Sequence, residues 1–239
     1  MQWQVFCTST ITAEVTDGCL GHDGDLSYLQ WMISAWGWTV SVALLALIIA
    51  LVCGLTVGTL RTHPSKLLAM LAACWTELFR NIPVLVQVFL WYHVLPVFIP
   101  ALKSASSFLL ASVALGLFTS ARIAEQVRAG INALPAGQQQ AATALGLTLW
   151  QRTRLVILPQ ALRLILPTLT SEAMNIVKNS SVAFAVSVTE LTLFAMQAQE
   201  ETARGMEIYA GVTLLYVSTA LLVNRVMVAI ENWTRVAAR

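Results

Sequence analysis

Charge is what this sequence has least of. Only 11% of its 239 residues are Asp, Glu, Lys or Arg, against 57% hydrophobic, and the mean hydropathy is +0.72. Soluble domains carry about 25% charge, so that class is excluded and the chain reads as an integral membrane protein. A formal net charge of +2, with basic residues dispersed or grouped beside apolar runs, excludes a nucleic-acid-binding stripe. Lys and Arg are missing altogether from Met1–Tyr28. A cleavable signal peptide needs a cationic start, so the first membrane helix is expected to act as the insertion signal. Cysteine is also scarce. No CxxC and no His/Cys cluster at zinc spacing occurs, and Cys53 and Cys74 lie in apolar runs where buried thiols are common. Cys7 and Cys19 fall in an acidic leader, where a disulfide between them requires an extracytoplasmic location. Phosphate-loop spacing, GxxxxGK[ST], is absent too.

Long apolar runs are what the chain has instead. A membrane span takes about 20 apolar residues, and five segments qualify: 32–60, 67–100, 107–132, 168–192 and 208–231. The expected fold is an all-α membrane domain of about five transmembrane helices over 32–232, with a leader at 1–31 and a tail at 233–239. The second segment is too long for one straight crossing and contains Glu77, Arg80 and Pro83. Proline removes a backbone donor and disfavours helix in the residue before it, so a bend is expected near Asn81–Pro83. Basic residues favour the cytoplasmic side of short loops. Arg61, Lys66, Arg152, Arg154, Arg163, Arg235 and Arg239 fall on one side, and only Lys103 and Arg204 on the other. The leader carries Glu14, Asp17, Asp23 and Asp25. The N-terminus is therefore placed outside and the C-terminus in the cytoplasm. Gly54 and Gly58 form a GxxxG pair, which is either a close helix contact or a chance occurrence.

Ser107–Leu134 is long enough to cross a bilayer, yet holds Arg122, Glu125 and Arg128 at spacings of three. Each ionised residue near the membrane centre costs about 2.5–3.5 kcal/mol on insertion scales. These residues must face water, a partner helix or a ligand, which points to a transport path. The plainer alternative pairs Arg122 with Glu125, one turn apart. Glu77 and Arg80, equally spaced, are expected to neutralise each other at the bend. Lys178 stands about ten residues into the fourth segment, about 15 Å along a helix. His63 and His93 are isolated and suit an interfacial position better than a metal.

Between the third and fourth segments, 135–166 forms the longest cytoplasmic stretch, with two short amphipathic pieces around Gly146. Such a loop either docks a partner or lies on lipid headgroups, which Arg152, Arg154 and Arg163 also suit. Gly137-Gln138-Gln139-Gln140-Ala141-Ala142-Thr143-Ala144-Leu145-Gly146, followed by Val156-Ile157-Leu158-Pro159, resembles the EAA loop of ABC importer permeases. Gln140 stands where that motif usually has glutamate. Glu77-x-x-Arg80-x-x-Pro83-x-x-x-Gln87 and Ala124-Glu125-x-x-Arg128 resemble signatures of the polar amino-acid permeases, as does Glu172-Ala173-Met174-Asn175-Ile176-Val177-Lys178-Asn179-Ser180-Ser181. The likeness extends to permeases of the glutamate/aspartate type, within a histidine/glutamine permease-like family.

That resemblance implies a type I ABC importer subunit of the bacterial inner membrane. Implied partners are a second, non-identical permease subunit, two ATPase subunits, a periplasmic amino-acid-binding protein, the amino acid and membrane lipid. ATP and magnesium would be bound by the ATPase, leaving this chain with no cofactor and no catalytic role. Gly137, Gln140, Ala141, Ala142, Gly146, Leu158 and Pro159 would make the coupling contact, while Arg122, Glu125, Glu172, Asn175, Lys178, Asn179 and Ser181 would line the path. Relatives commonly hold an aromatic at the place of Arg122, and permeases for basic amino acids often hold aspartate at the place of Asn179. Arginine's planar fork suits a carboxylate, so an acidic amino acid is the expected substrate. Glutamine or a basic amino acid is the alternative. An ion-coupled secondary transporter would normally carry internal repeats, and none is evident; a membrane enzyme would need a nucleophile or metal set that the cluster lacks.

Overall fold

The computed structural model describes residues 3–12, 15, 19 and 26–236. In chain order its α-helices are α1 (Tyr28–Leu60), α2 (Lys66–Asn81), α3 (Val84–Phe89), α4 (Leu95–Phe98), α5 (Ser107–Asn132), α6 (Ala136–Ala144), α7 (Leu149–Arg152), α8 (Leu158–Asn179), α9 (Leu191–Thr202) and α10 (Gly205–Val236). α1, α5 and α10 are long and apolar enough to cross a membrane, and two bent pairs bring the number of spans to five.

α1 starts where Ser27 and Gln30 satisfy each other's backbone. Ser27 Oγ accepts from the Gln30 amide, and Gln30 Oε1 accepts from the Ser27 amide. Its 33 residues include no charge, so nothing within it resists insertion. α1 and α5 run parallel and make the most extensive helix contact of the fold. Ideal Cβ atoms at Gly54 and Gly58 would lie 2.7 Å from Ile123 Cβ and 2.6 Å from Val127 Cβ. The GxxxG pair is therefore a packing contact. Gly116 repeats the device in reverse, facing Ile49 and the Ala46 carbonyl of α1. Ala43, Ala46, Ala50, Ala111 and Ala114 fill the rest of the seam, as expected where helices associate by close approach rather than by hydrophobicity.

The bend at Asn81–Pro83 is present, with 104° between its two arms. The Phe79 carbonyl would normally accept from the amide of residue 83, which is proline and has none. Gln87 replaces that donor. Its Nε2 donates to Phe79 O at 2.7 Å and to Ile82 O at 3.0 Å, and the side chain is buried. Gln87→Leu keeps the approximate volume but orphans both carbonyls, at a cost of about 1–3 kcal/mol each when buried. We expect a clear fall in the thermal midpoint of the detergent-purified chain. An unchanged midpoint would mean that another group caps the bend.

The fourth span differs from the expected 168–192. α8 starts at Leu158 and runs through Pro167, whose ring is on the exposed side, so the missing hydrogen bond lies at the helix surface. It ends at Asn179, a 3-10 turn follows over Ser180–Val186, and the chain bends 55° into α9. Glu190 holds this bend. It is fully buried, caps α9 by accepting from the Thr192 and Leu193 amides, and accepts from Tyr216 Oη of α10 at 2.6 Å.

The described part of the N-terminal segment folds onto the end of the bundle where α1 begins. Cys7 and Cys19 are joined in a disulfide, Ser9 and Ser27 form a β-bridge, and Val5 and Phe6 join a second core with Tyr28, Met32, Phe194 and Ile208. Glu14, Asp17, Asp23, Asp25 and Arg239 lie outside the described residues.

Candidate functional site

The charged residues of α5 are held by partners other than those their spacing suggests. Arg122 does not pair with Glu125. Its Nε and Nη2 reach Glu172 Oε1 of α8 at 3.2 and 3.1 Å, and Gln126 Nε2 donates to the same oxygen at 3.1 Å. The Glu172 side chain is only 5% exposed and its Oε2 is buried without a partner, whereas the Arg122 side chain is 40% exposed. Burying a carboxylate is costly unless it is paired, so the guanidinium compensates Glu172 on one edge and stays open on the other. The sequence signal for this pair was weak, because the partners are fifty residues apart and meet only where α5 packs on α8.

Glu125 collects arginines from three helices. Arg61, just past the end of α1, pairs with Oε1; Arg128 donates to Oε2 through Nε and Nη2 at 3.1 and 3.0 Å; and Arg80 Nη1 lies 3.7 Å from Oε1. The expected Glu77–Arg80 pair is therefore not formed. Glu77 Oε2 instead accepts from Asn81 Nδ2 at 3.0 Å, because the bend turns Arg80 toward α5. Arg61 belongs to this cluster although the sequence marks it only as a loop cation.

On α8, Thr168, Ser171, Asn175 and Lys178 recur at spacings of three and four and so share one face. Asn175 is half-buried and the other three are exposed. A polar stripe on the outer face of a membrane helix does not suit lipid; it suits a partner subunit or a water-filled path. Lys178 stands at the end of α8 rather than inside a straight span, and among the described residues it has no ion pair within 4.0 Å. Asn179 is half-buried beside it. The Ser181 hydroxyl donates to the Lys178 carbonyl at 2.8 Å, closing the helix end.

The loop over 135–166 is two short helices meeting at Gly146. Its φ of +76° is a left-handed conformation that glycine adopts without strain. Gly146 N donates to Thr143 O and Leu147 N to Ala142 O, the hydrogen-bond pair of a Schellman helix end. Arg152 Nη1 bonds Thr143 Oγ1 at 3.0 Å and so ties α7 back to α6. Ala142 is buried and Leu158 half-buried, while Gly137, Gln140, Ala141 and Pro159 are exposed. At the tip, Leu145 is 80% and Trp150 67% exposed. These two apolar residues had not been singled out, and they give the loop a face suited to a partner. Among the described residues no group of three or more His, Cys, Asp or Glu could hold a metal.

Residues 46–236 match the family described as binding-protein-dependent transport system inner membrane component. The chain is 40% identical over 222 residues to the glutamate/aspartate import permease protein GltJ of Escherichia coli (strain K12), covering 89% of this chain and 90% of that one. It is 35% identical over 178 residues to the probable glutamine ABC transporter permease protein GlnM of Bacillus subtilis (strain 168), covering 74% and 81%. Among solved structures it is similar to an amino acid ABC transporter crystallised with histidines, at 31% identity and a TM-score of 0.75, covering 86% of this chain and 94% of that one. The MetNI methionine ABC transporter in an inward-facing conformation, at 22% identity and a TM-score of 0.75 over 85% and 96% of the two chains, shares the fold.

Proposed function

The chain belongs to the binding-protein-dependent transport system inner membrane components, as an amino-acid permease of the type I ABC importer fold, and we propose that it passes an acidic amino acid, glutamate or aspartate. The observation that carries this reading is Arg122, a guanidinium anchored to a buried carboxylate yet 40% exposed. Arginine can bind a carboxylate through two parallel hydrogen bonds, and an acidic substrate brings one carboxylate more than a neutral amino acid does. The uncharged Asn179 supports the same sign preference, Lys178 suits a structural or α-carboxylate role common to such permeases, and the likeness to GltJ supports the substrate class. In this reading Glu172 and Gln126 position Arg122, Asn175 and Lys178 present polar groups toward the partner permease, and Ser181 shapes the helix end. Glu125 serves the bundle rather than the substrate.

The leader at 1–31 is assigned to the periplasm, 32–232 to the transmembrane domain, and 233–239 to a cytoplasmic tail. The exposed Leu145 and Trp150 support docking of the 135–166 loop on an ATPase subunit, with Gly137, Gln140, Ala141, Gly146, Leu158 and Pro159 around the contact and Ala142 packed behind it. Two ATPase subunits, a second permease subunit and a periplasmic binding protein complete the importer, and ATP hydrolysis is assigned to the ATPase. A second reading, glutamine import, draws support from the likeness to GlnM and from the Arg122–Glu172 pair being neutral as a unit.

ATP-dependent uptake of labelled glutamate by the complete importer in liposomes separates these readings. Arg122→Gln alone would strand the buried Glu172, so the informative variant is Arg122→Gln with Glu172→Gln, which leaves no unpaired charge. A charge-assisted hydrogen bond contributes about 1.5–3 kcal/mol. The double variant is therefore expected to lose at least tenfold in glutamate uptake, and aspartate should no longer compete, while its thermal midpoint stays close to native. Native-like uptake and competition in the double variant would make Arg122 a structural partner of Glu172. Import of glutamine or arginine in place of glutamate by the native complex would overturn the acidic assignment.

A further inference from the structure

Two cavities lie side by side where α1 ends against the 135–166 loop, the first of them also bounded by the end of α5. One, of about 370 Å³, is lined by Arg61, His63, Arg128, Arg152, Asn132 and Gln139 among others. Among the described residues no carboxylate lines it. The nearest one, Glu125, is shared among Arg61, Arg128 and Arg80, so the cavity keeps an excess of positive charge. His63 Nδ1 accepts from the Ser65 amide at 3.1 Å, which leaves the ring proton on Nε2 as a further donor. The second cavity, of about 380 Å³, is lined by Leu55, Leu60, Trp150 and Leu158 with Thr56 and Arg154. Thr59 and Thr153 line both cavities.

We propose that this double cavity binds an anionic phospholipid, its phosphate in the basic chamber and the start of an acyl chain in the apolar one. Charge complementarity argues for the headgroup, because guanidinium groups bind phosphate through paired, charge-assisted hydrogen bonds. Position argues for lipid over a free ion. The cavity sits at the ends of α1 and α5, where the uncharged run of α1 gives way to Arg61, and basic pockets between transmembrane helices on the cytoplasmic side are suited to anionic headgroups. The adjoining apolar cavity argues the same way, since inorganic phosphate has no use for a space walled by leucine and tryptophan. Arg61 and Arg128 belong to the bundle and Arg152 to α7, so a bound lipid joins the membrane core to the loop assigned to ATPase docking. Such a lipid would act on coupling whichever amino acid is imported.

The test uses the assembled importer in nanodiscs of phosphatidylcholine with and without phosphatidylglycerol, reading retained lipid by native mass spectrometry. Thr62→Asp sets a carboxylate into the basic chamber at a position outside the arginine cluster. Thr56→Trp fills the apolar chamber from an exposed position. Native complex is expected to retain phosphatidylglycerol in preference to phosphatidylcholine, and each variant to retain at least tenfold less of it. Equal retention in native and both variants would overturn the site. So would a native complex with no preference for the anionic lipid, the result if an acidic side chain of the ATPase fills the chamber. Inorganic phosphate binding that is lost in Thr62→Asp and indifferent to Thr56→Trp, with no lipid retained, would overturn the lipid in favour of a free oxyanion.

Discussion

Replacing Glu125 with alanine is expected to remove most of the folded chain from the membrane. Among the described residues its carboxylate is the one acidic group that answers Arg61, Arg128 and Arg80, and these come from the ends of α1, α5 and α2. Arg61 and Glu125 side chains are only 13% and 21% exposed. Without Glu125 the enclosed Arg61 loses its partner, while the Arg128 and Arg80 side chains, 39% and 49% exposed, are partly screened by water. Like charges 4 Å apart cost about 4 kcal/mol at an effective dielectric constant of 20, and breaking a buried ion pair costs about 3–5 kcal/mol. A chain of this size loses about 2–4 °C of thermal midpoint per kcal/mol, so a drop of about 6–20 °C in detergent is expected, with a parallel loss of abundance in the membrane. Glu125→Gln keeps the shape but not the charge and should fall nearly as far. Arg61→Gln combined with Glu125→Gln removes one repelling cation and should regain part of the loss. A midpoint for Glu125→Ala within about 2 °C of native would show that solvent, not the carboxylate, screens the three arginines.

A comparable loss is expected from Gly58→Leu. A methyl at Gly58 already falls 2.6 Å from Val127 Cβ and 2.7 Å from the Ala124 carbonyl, so the obstacle includes backbone that cannot rotate away. Overpacking typically costs about 1–3 kcal/mol, which is the range for Gly58→Ala, and leucine exceeds it by prising α1 from α5. Gly54→Ala should be milder, because its nearest backbone contact is at 3.0 Å. Gly37 has nothing within 4 Å, and Gly37→Leu should leave the midpoint unchanged. Thermal midpoints of the four variants check this order. Equal effects at Gly37 and Gly58 would remove the close approach of α1 and α5 as the source of stability.

The ion-pair network shows where a one-dimensional reading stops. Arg122–Glu125 and Glu77–Arg80 have the spacing of helical ion pairs, and neither forms. A surface pair three residues apart contributes about 0.2–0.5 kcal/mol, whereas a buried carboxylate without a cation costs far more. Partner choice therefore followed burial. Glu172, enclosed by α5 and α8, took Arg122, and Glu125, at the junction of three helix ends, took what those ends supplied. Glu190 follows the same rule, since only the approach of α10 brings Tyr216 to it. The fourth span begins earlier than its apolar run because α8 continues through Pro167, which lies on an exposed face where a missing hydrogen bond costs little.

Several features depended on the sequence alone. Five apolar stretches determine a membrane fold because the bilayer imposes their length, and Pro83 determines the bend because it has no amide proton to give. Gly146 determines the turn between α6 and α7 because it adopts a left-handed backbone without strain. Each of these is a local constraint, acting within a few residues. Tertiary structure decided which charge meets which, that Gly54 and Gly58 face α5, that Gln87 caps the bend, and that Arg122 is both anchored and open. Those outcomes depend on burial and on contacts between helices distant in sequence, and burial exists only once the helices have packed.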